Sequence, residues 1–313
     1  MRAVCCAALA ACLLSGCSIR PVPQDFAHYD SFAITETVRC ETRQAIAEQI
    51  LAVLDDTDPA VARRVRSGED LRKIPRSTLS KPAQDIFNKY DQAAIVYEFT
   101  FDITEKNNLA VDASLLETLG RGPLTIGMGA GSQRERANLR NFRAQDTFES
   151  LVTRIDEKTY KFCKTSNKSE NWIYPITGSI GMSEMIDQFL KLNEVGALVG
   201  DKENPKVPYL ADTLRFTTTV TASASPKVVL SPLGRSLDLA SAGITADATR
   251  QDVHKVIIVI SLPEETIVAP GAPARPGVAK AARASALVNA NRVVDYQNFL
   301  AVIARQPIVG LVR

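Results

Sequence analysis

The acid–base chemistry open to this chain is limited by its two histidines, His28 and His254. Two histidines exclude a three-histidine zinc site and a zinc-binding His-Glu-x-x-His helix. His254 follows Arg250 and Asp252 at alternate positions, so a strand would place these three side chains on one face. The spacing supports two interpretations: a hydrolase in which His254 is the base for an unidentified nucleophile, or a polar row facing solvent. His28 lies near the N-terminus, where a catalytic side chain would be poorly positioned.

Charged and glycine-rich stretches offer three further candidates. Asp102 and Glu105 are close enough in sequence to suggest a carboxylate pair, although acidic residues at a strand end and turn are usually solvated. The glycine-rich residues 127–131 lack the Gly-Lys-Ser/Thr of a phosphate loop and the third glycine of the dinucleotide motif. A basic cluster of Arg134, Arg136, Arg140 and Arg143 either contacts lipid head groups and anionic envelope polymers or forms a solvated face. Together with the row above, the candidate polar surface patch comprises Arg134, Arg136, Arg140, Arg250, Asp252 and His254.

The charge balance excludes nucleic acid as an expected partner. The chain has 37 Lys and Arg against 35 Asp and Glu, and a nearly neutral protein has no positive field to attract a polyanion. Hydrophobic residues make up 45% of the 313 residues, which is typical of a folded soluble body. We expect no cofactor and no metal site, because none of their motifs is present.

The N-terminus has the pattern of an export signal. Arg2 precedes an apolar run over residues 3–14, as in a basic n-region followed by an h-region, and the run is shorter than the roughly 20 apolar residues of a transmembrane helix. The four residues from the last leucine of this run, Leu14-Ser15-Gly16-Cys17, resemble the lipobox of bacterial lipoproteins. The resemblance implies that Cys17 is diacylated on sulfur, acylated on nitrogen and attached to a membrane. The alternatives are an ordinary cleaved signal or a chance apolar terminus.

The residue after Cys17 indicates which membrane is expected. In enteric bacteria, an aspartate directly after the lipidated cysteine resembles a signal for retention in the inner membrane. This chain has Ser18 at that position instead. We therefore expect anchoring to the outer membrane, on its periplasmic face rather than at the cell surface, with the inner membrane as the alternative.

Two cysteines remain when those of the signal and Cys17 are set aside: Cys40 and Cys163. Disulfides form in oxidising compartments such as the periplasm, and no Cys-x-x-Cys or histidine-rich spacing indicates a metal site. We expect a bridge between Cys40 and Cys163. The alternative is two buried free thiols.

Hydrophobic periodicity predicts the elements that position these residues. Apolar residues at helical spacing predict an amphipathic helix over residues 38–54 and a short helix over residues 82–90, where a proline occupies the first turn. Residues 95–104 alternate between apolar and polar, as in a half-buried strand, and residues 105–108 are expected to form a turn. Further strands are expected at 110–116 and 124–130, then a polar stretch over 132–143, an element over 148–155, and a helix capped by Ser183.

A second strand-rich block begins at Leu214 and ends with the strongest strand of the chain, residues 256–260. Aligning residues 97–104 with residues 214–221 pairs Phe99 with Phe216, which suggests a tandem duplication. Two unrelated β-meanders that share Thr and Phe are the alternative, because strands favour both residues. Since neither block could bury an apolar face alone, we expect the blocks to pack together or join. The expected core contains Phe99, Phe101, Phe216 and Val220.

The predicted fold class is α+β: two antiparallel strand-rich blocks packed together with an N-terminal helix and a C-terminal helix. The C-terminal helix follows a linker rich in Pro, Ala and Gly, so it either docks on the body or swings away as a partner-binding element. The expected organisation is a signal peptide (1–16), a lipidated tether (17–30), a helix with the first β block (31–165), a short helix with the second β block (166–262), the linker (263–278) and the C-terminal helix (279–313).

Several of these features resemble a group of uncharacterised lipoproteins from alphaproteobacteria. The resemblance rests on the lipobox, the tether, Arg39-Cys40-Glu41 in the first helix, and residues 99–105 of the first strand, and it extends along most of the mature chain. It brings no catalytic residue and no cofactor. We therefore expect a lipid-anchored envelope protein that binds another protein or a cell-wall polymer, or has a structural role, with membrane contact through Cys17. The alternative is a periplasmic hydrolase that uses His254.

Overall fold

The structure, a computed structural model, describes residues 20–27, 29–119, 122–155, 157–165, 175–195, 198, 207–224, 227–229, 238–264 and 276–304. Cys17, the predicted signal, His28 and residues 265–275 of the predicted linker lie outside the described residues. The described parts form an antiparallel sheet with helices from both ends of the chain, which confirms the α+β class.

The elements follow one another along the chain as helices, a long hairpin, helices, further strands and a last helix. The α-helices are α1 (Gln24–Ala27), α2 (Ser31–Thr57), α3 (Pro59–Arg66), α4 (Lys81–Tyr90), α5 (Phe148–Val152), α6 (Glu157–Thr165), α7 (Met182–Glu194) and α8 (Pro276–Ile303). Short 3₁₀ turns cover Leu71–Lys73, Arg76–Thr78 and Pro175–Thr177. The strands are β1 (Ala94–Leu119), β2 (Gly122–Thr147), β3 (Tyr209–Ala224), β4 (Lys227–Val229) and β5 (Asp238–Ser261).

Both predicted strand blocks contribute to one sheet. Its strand order is β2-β1-β5-β3, and β4 pairs antiparallel with β5. If β3 is a copy of β1 and β5 a copy of β2, the order contains the same pair of strands twice, first β2-β1 and then β5-β3. The order therefore agrees with the duplication hypothesis, although it does not distinguish a copy from two independent hairpins.

The first block is one long hairpin, so the turn expected at 105–108 is wrong. β1 continues through these residues, and β2 extends the strand expected at 124–130 through the polar stretch 132–143. Polar side chains of these strands pair across the hairpin: Lys106 Nζ lies 3.2 Å from Glu135. Cross-strand charge pairs support polar strand residues, and pairing here outweighs the turn propensity of Asn and Lys.

The strands pass through two compact units. Unit 1 comprises residues 1–28, 101–139 and 217–253, and unit 2 comprises residues 29–100, 140–216 and 254–313. Each unit thus contains part of β1, β2, β3 and β5.

In unit 2 the sheet carries a helix-covered core. The described C-terminal helix α8 buries Ala290 and Val294 against Val96 of β1 and Ile257 and Val259 of β5. The run 256–260 is fully buried, as expected for a strand covered on both faces. Of the two alternatives for the C-terminal helix, the structure shows docking on the body.

The N-terminal helix α2 is fixed in unit 2 by a cap and a disulfide. Asp30 accepts a hydrogen bond from Ala33 N at 2.7 Å, which satisfies a donor of the first turn. Cys40 of α2 is bonded to Cys163 of α6, with Cα atoms 5.2 Å apart. The bridge joins two helices that are 123 residues apart in sequence.

The start of α7 differs from the sequence prediction. Gly181, with φ of 88°, occupies the N-cap position in place of Ser183. Glu41 of α2 accepts hydrogen bonds from the backbone nitrogens of Ile180, Gly181 and Met182 at 2.9–3.0 Å. A carboxylate from a distant helix therefore satisfies the donors that a local serine was expected to satisfy.

The expected core is confirmed for β1 and wrong for β3. Phe99 and Phe101 are fully buried, whereas Phe216 and Val220 are half-buried. β3 is the last strand in the sheet order, and an edge strand has a neighbour on one side only.

Candidate functional site

The most concentrated group of charges in unit 1 is centred on Arg250 of β5. Its guanidinium donates to both carboxylate oxygens of Asp252 at 2.8 and 2.9 Å and to Glu105 of β1 at 2.9 Å. Arg136 of β2 also donates to Glu105. We call Glu105, Arg136, Arg250 and Asp252 the Arg250 cluster. Two guanidinium groups balance two carboxylates, so the cluster is neutral as a whole.

The Arg250 cluster is largely removed from water. The Arg250 side chain is 12% exposed and that of Asp252 1%. Charges in such surroundings interact strongly, but each also loses its hydration, so each needs close partners. Arg250 meets this need with a bidentate contact to Asp252, the geometry that suits a planar guanidinium.

The N-terminal segment 20–25 is fastened to the sheet at this cluster. Arg250 donates to the carbonyl of Val22 at 2.9 Å, and Asn138 of β2 donates to the carbonyl of Pro21 at 2.8 Å. The Arg20 guanidinium donates to the side-chain oxygen of Asn138 at 3.2 Å. From Arg20 onward, the segment that was expected to be an extended tether is therefore bound along β2 and β5, and it continues into helix α1.

The predicted polar surface patch does not form one surface. Asp252 and His254 are each 1% exposed, so the interpretation of a solvent-facing row is wrong. Arg140 belongs to unit 2, where it donates to Ser31 Oγ at 2.6 Å. Arg134 is exposed. The residues of the predicted patch belong to different units because β5 and β2 each run from one unit into the other.

The carboxylate pair of Asp102 and Glu105 is also not formed. They are an odd number of residues apart on β1, so they point to opposite faces of the strand. The Glu105 carboxylate is occupied by contacts to two arginines, Arg136 and Arg250.

Catalysis by His254 gains no support from its position. Its burial leaves little surface for a substrate, and it is not among the residues that line two concave regions in the described parts of the chain. In those residues no group of three or more His, Cys, Asp or Glu could hold a metal ion.

The larger concave region lies beside the Arg250 cluster in unit 1 and measures about 580 Å³. Asn107, Arg134 and Ala248 line it, each two residues beyond a cluster position on its strand. The remainder of the lining combines three alanines and Leu109 with four polar or charged residues. The complete lining is Asn107, Asn108, Leu109, Ser132, Arg134, Ala222, Ser223, Ala224, Ala246, Asp247 and Ala248.

Unit 2 contains a second polar network, which joins α8 to the sheet. Arg143 of β2 donates to Glu98 of β1 and to Asp295 of α8. Asn298 of α8 donates to Glu98 as well. These contacts complement the apolar packing of α8 and give Arg143 a structural role, in place of the solvated face considered for the basic cluster.

Sequence reasoning missed Glu105 and Asn138 as partners of the arginines and of the N-terminal segment. Glu105 and Arg136 are equally distant in sequence from the midpoint between residues 120 and 121. A hairpin centred on the glycine-rich residues 120–122 would thus have predicted their contact. No comparable sequence signal marks the contact between Asn138 and Pro21, because it depends on tertiary structure.

No helix in the described parts of the chain combines the length and apolar character needed to cross a membrane.

Comparisons with known proteins identify one family. The family model described as uncharacterised protein y4kA matches residues 20–275. Uncharacterized protein y4kA of Sinorhizobium fredii (strain NBRC 101917 / NGR234) is 33% identical over 263 residues, which cover 82% of this chain and 81% of the relative. The expected resemblance to an uncharacterised alphaproteobacterial family is confirmed.

Among solved structures, the InvG secretin domain beta-barrel from the Salmonella SPI-1 injectisome NC-base matches 71% of each chain. Its sequence identity is 7% and its TM-score 0.20. A score this low supports no conclusion about fold or function.

Proposed function

The chain belongs to the y4kA family of uncharacterised proteins, and we propose that it is a lipoprotein anchored to the periplasmic face of the outer membrane through Cys17. In this proposal the folded body has a structural role or binds another envelope protein or a cell-wall polymer. The observation that carries it is the Leu-Ser-Gly-Cys sequence ending at Cys17, directly after an apolar signal-like run.

The attachment of the N-terminal segment to the sheet supports the proposal. Cys17 precedes Arg20 by three positions, and Arg20, Pro21 and Val22 are held by Asn138 and Arg250. An anchor on Cys17 would therefore transmit force to the folded sheet rather than to a loose linker. Acyl chains contribute about 0.8 kcal/mol for each buried methylene, so three chains would give lasting attachment without further membrane contact.

The contacts of the charged residues favour a binding or structural role over catalysis. The Arg250 cluster uses its charges on one another and on the Val22 carbonyl, which stabilises the N-terminal segment. The buried His254 does not favour the hydrolase alternative.

Substitution of Cys17 tests the anchor. We expect Cys17→Ser to abolish incorporation of an alkyne-tagged fatty acid and to release the protein from membranes during a high-salt wash. Cys12→Ser is the matched control, because Cys12 lies within the predicted signal and would be removed with it. Density-gradient separation of the wild-type membranes then distinguishes the outer from the inner membrane.

Two results would contradict the proposal. A Cys17→Ser protein that stays with washed membranes has another means of attachment. A wild-type protein without fatty-acid label has no lipid anchor.

A further inference from the structure

The faces of the sheet in unit 1 can be assigned from the Arg250 cluster. Glu105 of β1 bonds Arg136 of β2 and Arg250 of β5, so these three side chains lie on the same face of the sheet. Successive side chains of a strand point to opposite faces. The other members of this face therefore lie at odd positions of β1 and at even positions of β2 and β5.

Beyond the Arg250 cluster and the polar residues Asn107, Ser132 and Arg134 next to it, the large side chains of this face are apolar and exposed. Leu109 and Val111 are at odd positions of β1, like Glu105. Leu109 lines the concave region together with Ser132 of β2 and Ala246 of β5, which are at even positions, so this contact agrees with the assignment of faces. The large apolar side chains of this face are 43–55% exposed. We call the following set the apolar face: Leu109, Val111, Ile126, Met128 and Ile244.

The opposite face of the same strands is polar. The exposed residues at the alternate positions include Lys106, Asn108, Asp112, Gln133 and Glu135, and Leu139 is the large apolar side chain exposed among them. An antiparallel sheet with one polar and one apolar face normally buries the apolar one. Exposed apolar side chains that are grouped rather than scattered indicate a binding surface.

The N-terminal segment lies on the side of the apolar face. Asn138, which holds Arg20 and Pro21, is at an even position of β2, like Arg136 and Met128. The three positions from Cys17 to Arg20 span at most about 10 Å. A lipid on Cys17 would therefore be joined to the chain within that distance of Arg20, which Asn138 holds on the side of the apolar face.

We propose that the apolar face of unit 1 lies against the lipid surface in which Cys17 is anchored. This inference rests on the proposed function, because it requires the acyl chains on Cys17. Apolar side chains enter the boundary between head groups and acyl chains in such contacts. Arg134, which is exposed on the same face, is placed to bind a lipid phosphate.

Site-specific labelling of the full-length lipidated protein in vesicles tests this arrangement. The mature chain has no free thiol when Cys17 is acylated and Cys40 and Cys163 are bonded, so an introduced cysteine takes an environment-sensitive fluorophore alone. Met128→Cys places the label on the apolar face, and Gln133→Cys places it on the polar face of the same strand as the matched control. The vesicles contain phosphatidylethanolamine and phosphatidylglycerol.

We expect the label at Met128 to be quenched several-fold less by aqueous iodide than the label at Gln133. We also expect nitroxide-labelled lipid to quench the Met128 label and to spare the Gln133 label. Equal access of iodide to both labels on floating vesicles would overturn the inference and leave the anchor intact. Protection of Met128 that persists in detergent and increases with protein concentration would also overturn it, because a second copy would then cover the face. A protein that does not float with the vesicles has no anchor, and both proposals fail.

Discussion

Replacing Arg250 by leucine tests whether a buried charge cluster holds the N-terminal segment. Arg250→Leu removes both contacts to Asp252, one contact to Glu105 and the donor to the Val22 carbonyl. Glu105 keeps Arg136 as a partner. Asp252, which is almost fully buried, loses the guanidinium that balances its charge.

The expected loss of stability follows from the burial of Asp252. Removing one partner of a buried ion pair costs about 3 to 5 kcal/mol, because the remaining charge is left in the interior. Lys106→Ala is the matched control, since Lys106 and Glu135 pair across the same hairpin but are 57% and 58% exposed. An exposed pair of this kind contributes about 1 kcal/mol or less.

Urea unfolding followed by circular dichroism measures both losses, and hydrogen exchange of residues 20–27 reports on the segment itself. We expect Arg250→Leu to speed exchange in this segment and Lys106→Ala to leave it unchanged. Arg250→Lys should give an intermediate loss, because an ammonium cannot reproduce the bidentate contact. If Arg250→Leu costs no more than Lys106→Ala, the cluster is not desolvated and the reasoning is refuted.

Two further predictions concern burial. Burial raises the pKa of Asp91 from 3.8 to about 6 against the opposing effect of Arg76. Because the folded state then binds the proton more tightly than the unfolded state, this group should lower the free energy of unfolding by about 2 kcal/mol as pH rises from 4 to 7. Asp91→Asn should therefore stabilise the protein more at pH 7.5 than at pH 4.5 in thermal unfolding, and an equal effect at both values would contradict the shift. Phe101→Ala should cost about 3 to 5 kcal/mol and Phe216→Ala clearly less in urea unfolding, because Phe101 is fully buried and Phe216 is half-buried. Equal losses would show that β3 is not an exposed edge.

Periodicity predicted the elements whose signal is local. The helix expected over residues 38–54 lies within α2, and the helix expected over residues 82–90 corresponds to α4. Apolar runs and alternation reflect burial on one or both faces, which is a property of the segment itself. The strand prediction for residues 256–260 is confirmed for the same reason.

Contacts between distant segments were not predictable in this way. The turn expected at 105–108 is absent because Lys106 pairs with Glu135 and Glu105 with Arg136 across the hairpin. The cap expected from Ser183 is replaced by Glu41, a residue of another helix. In each case a local propensity of about 1 kcal/mol or less competes with a tertiary contact that the sequence does not display.

The Arg250 cluster also explains why the alternation of β1 is interrupted. Its odd positions are apolar from Tyr97 to Ile103 and again at Leu109 and Val111, with Glu105 and Asn107 between them. The N-terminal segment covers this point, and the carbonyl of its half-buried Val22 needs a hydrogen-bond donor. Arg250 supplies that donor, and its charge in turn needs carboxylates. A charged residue within an otherwise apolar strand face therefore marks the place where the backbone of another segment lies.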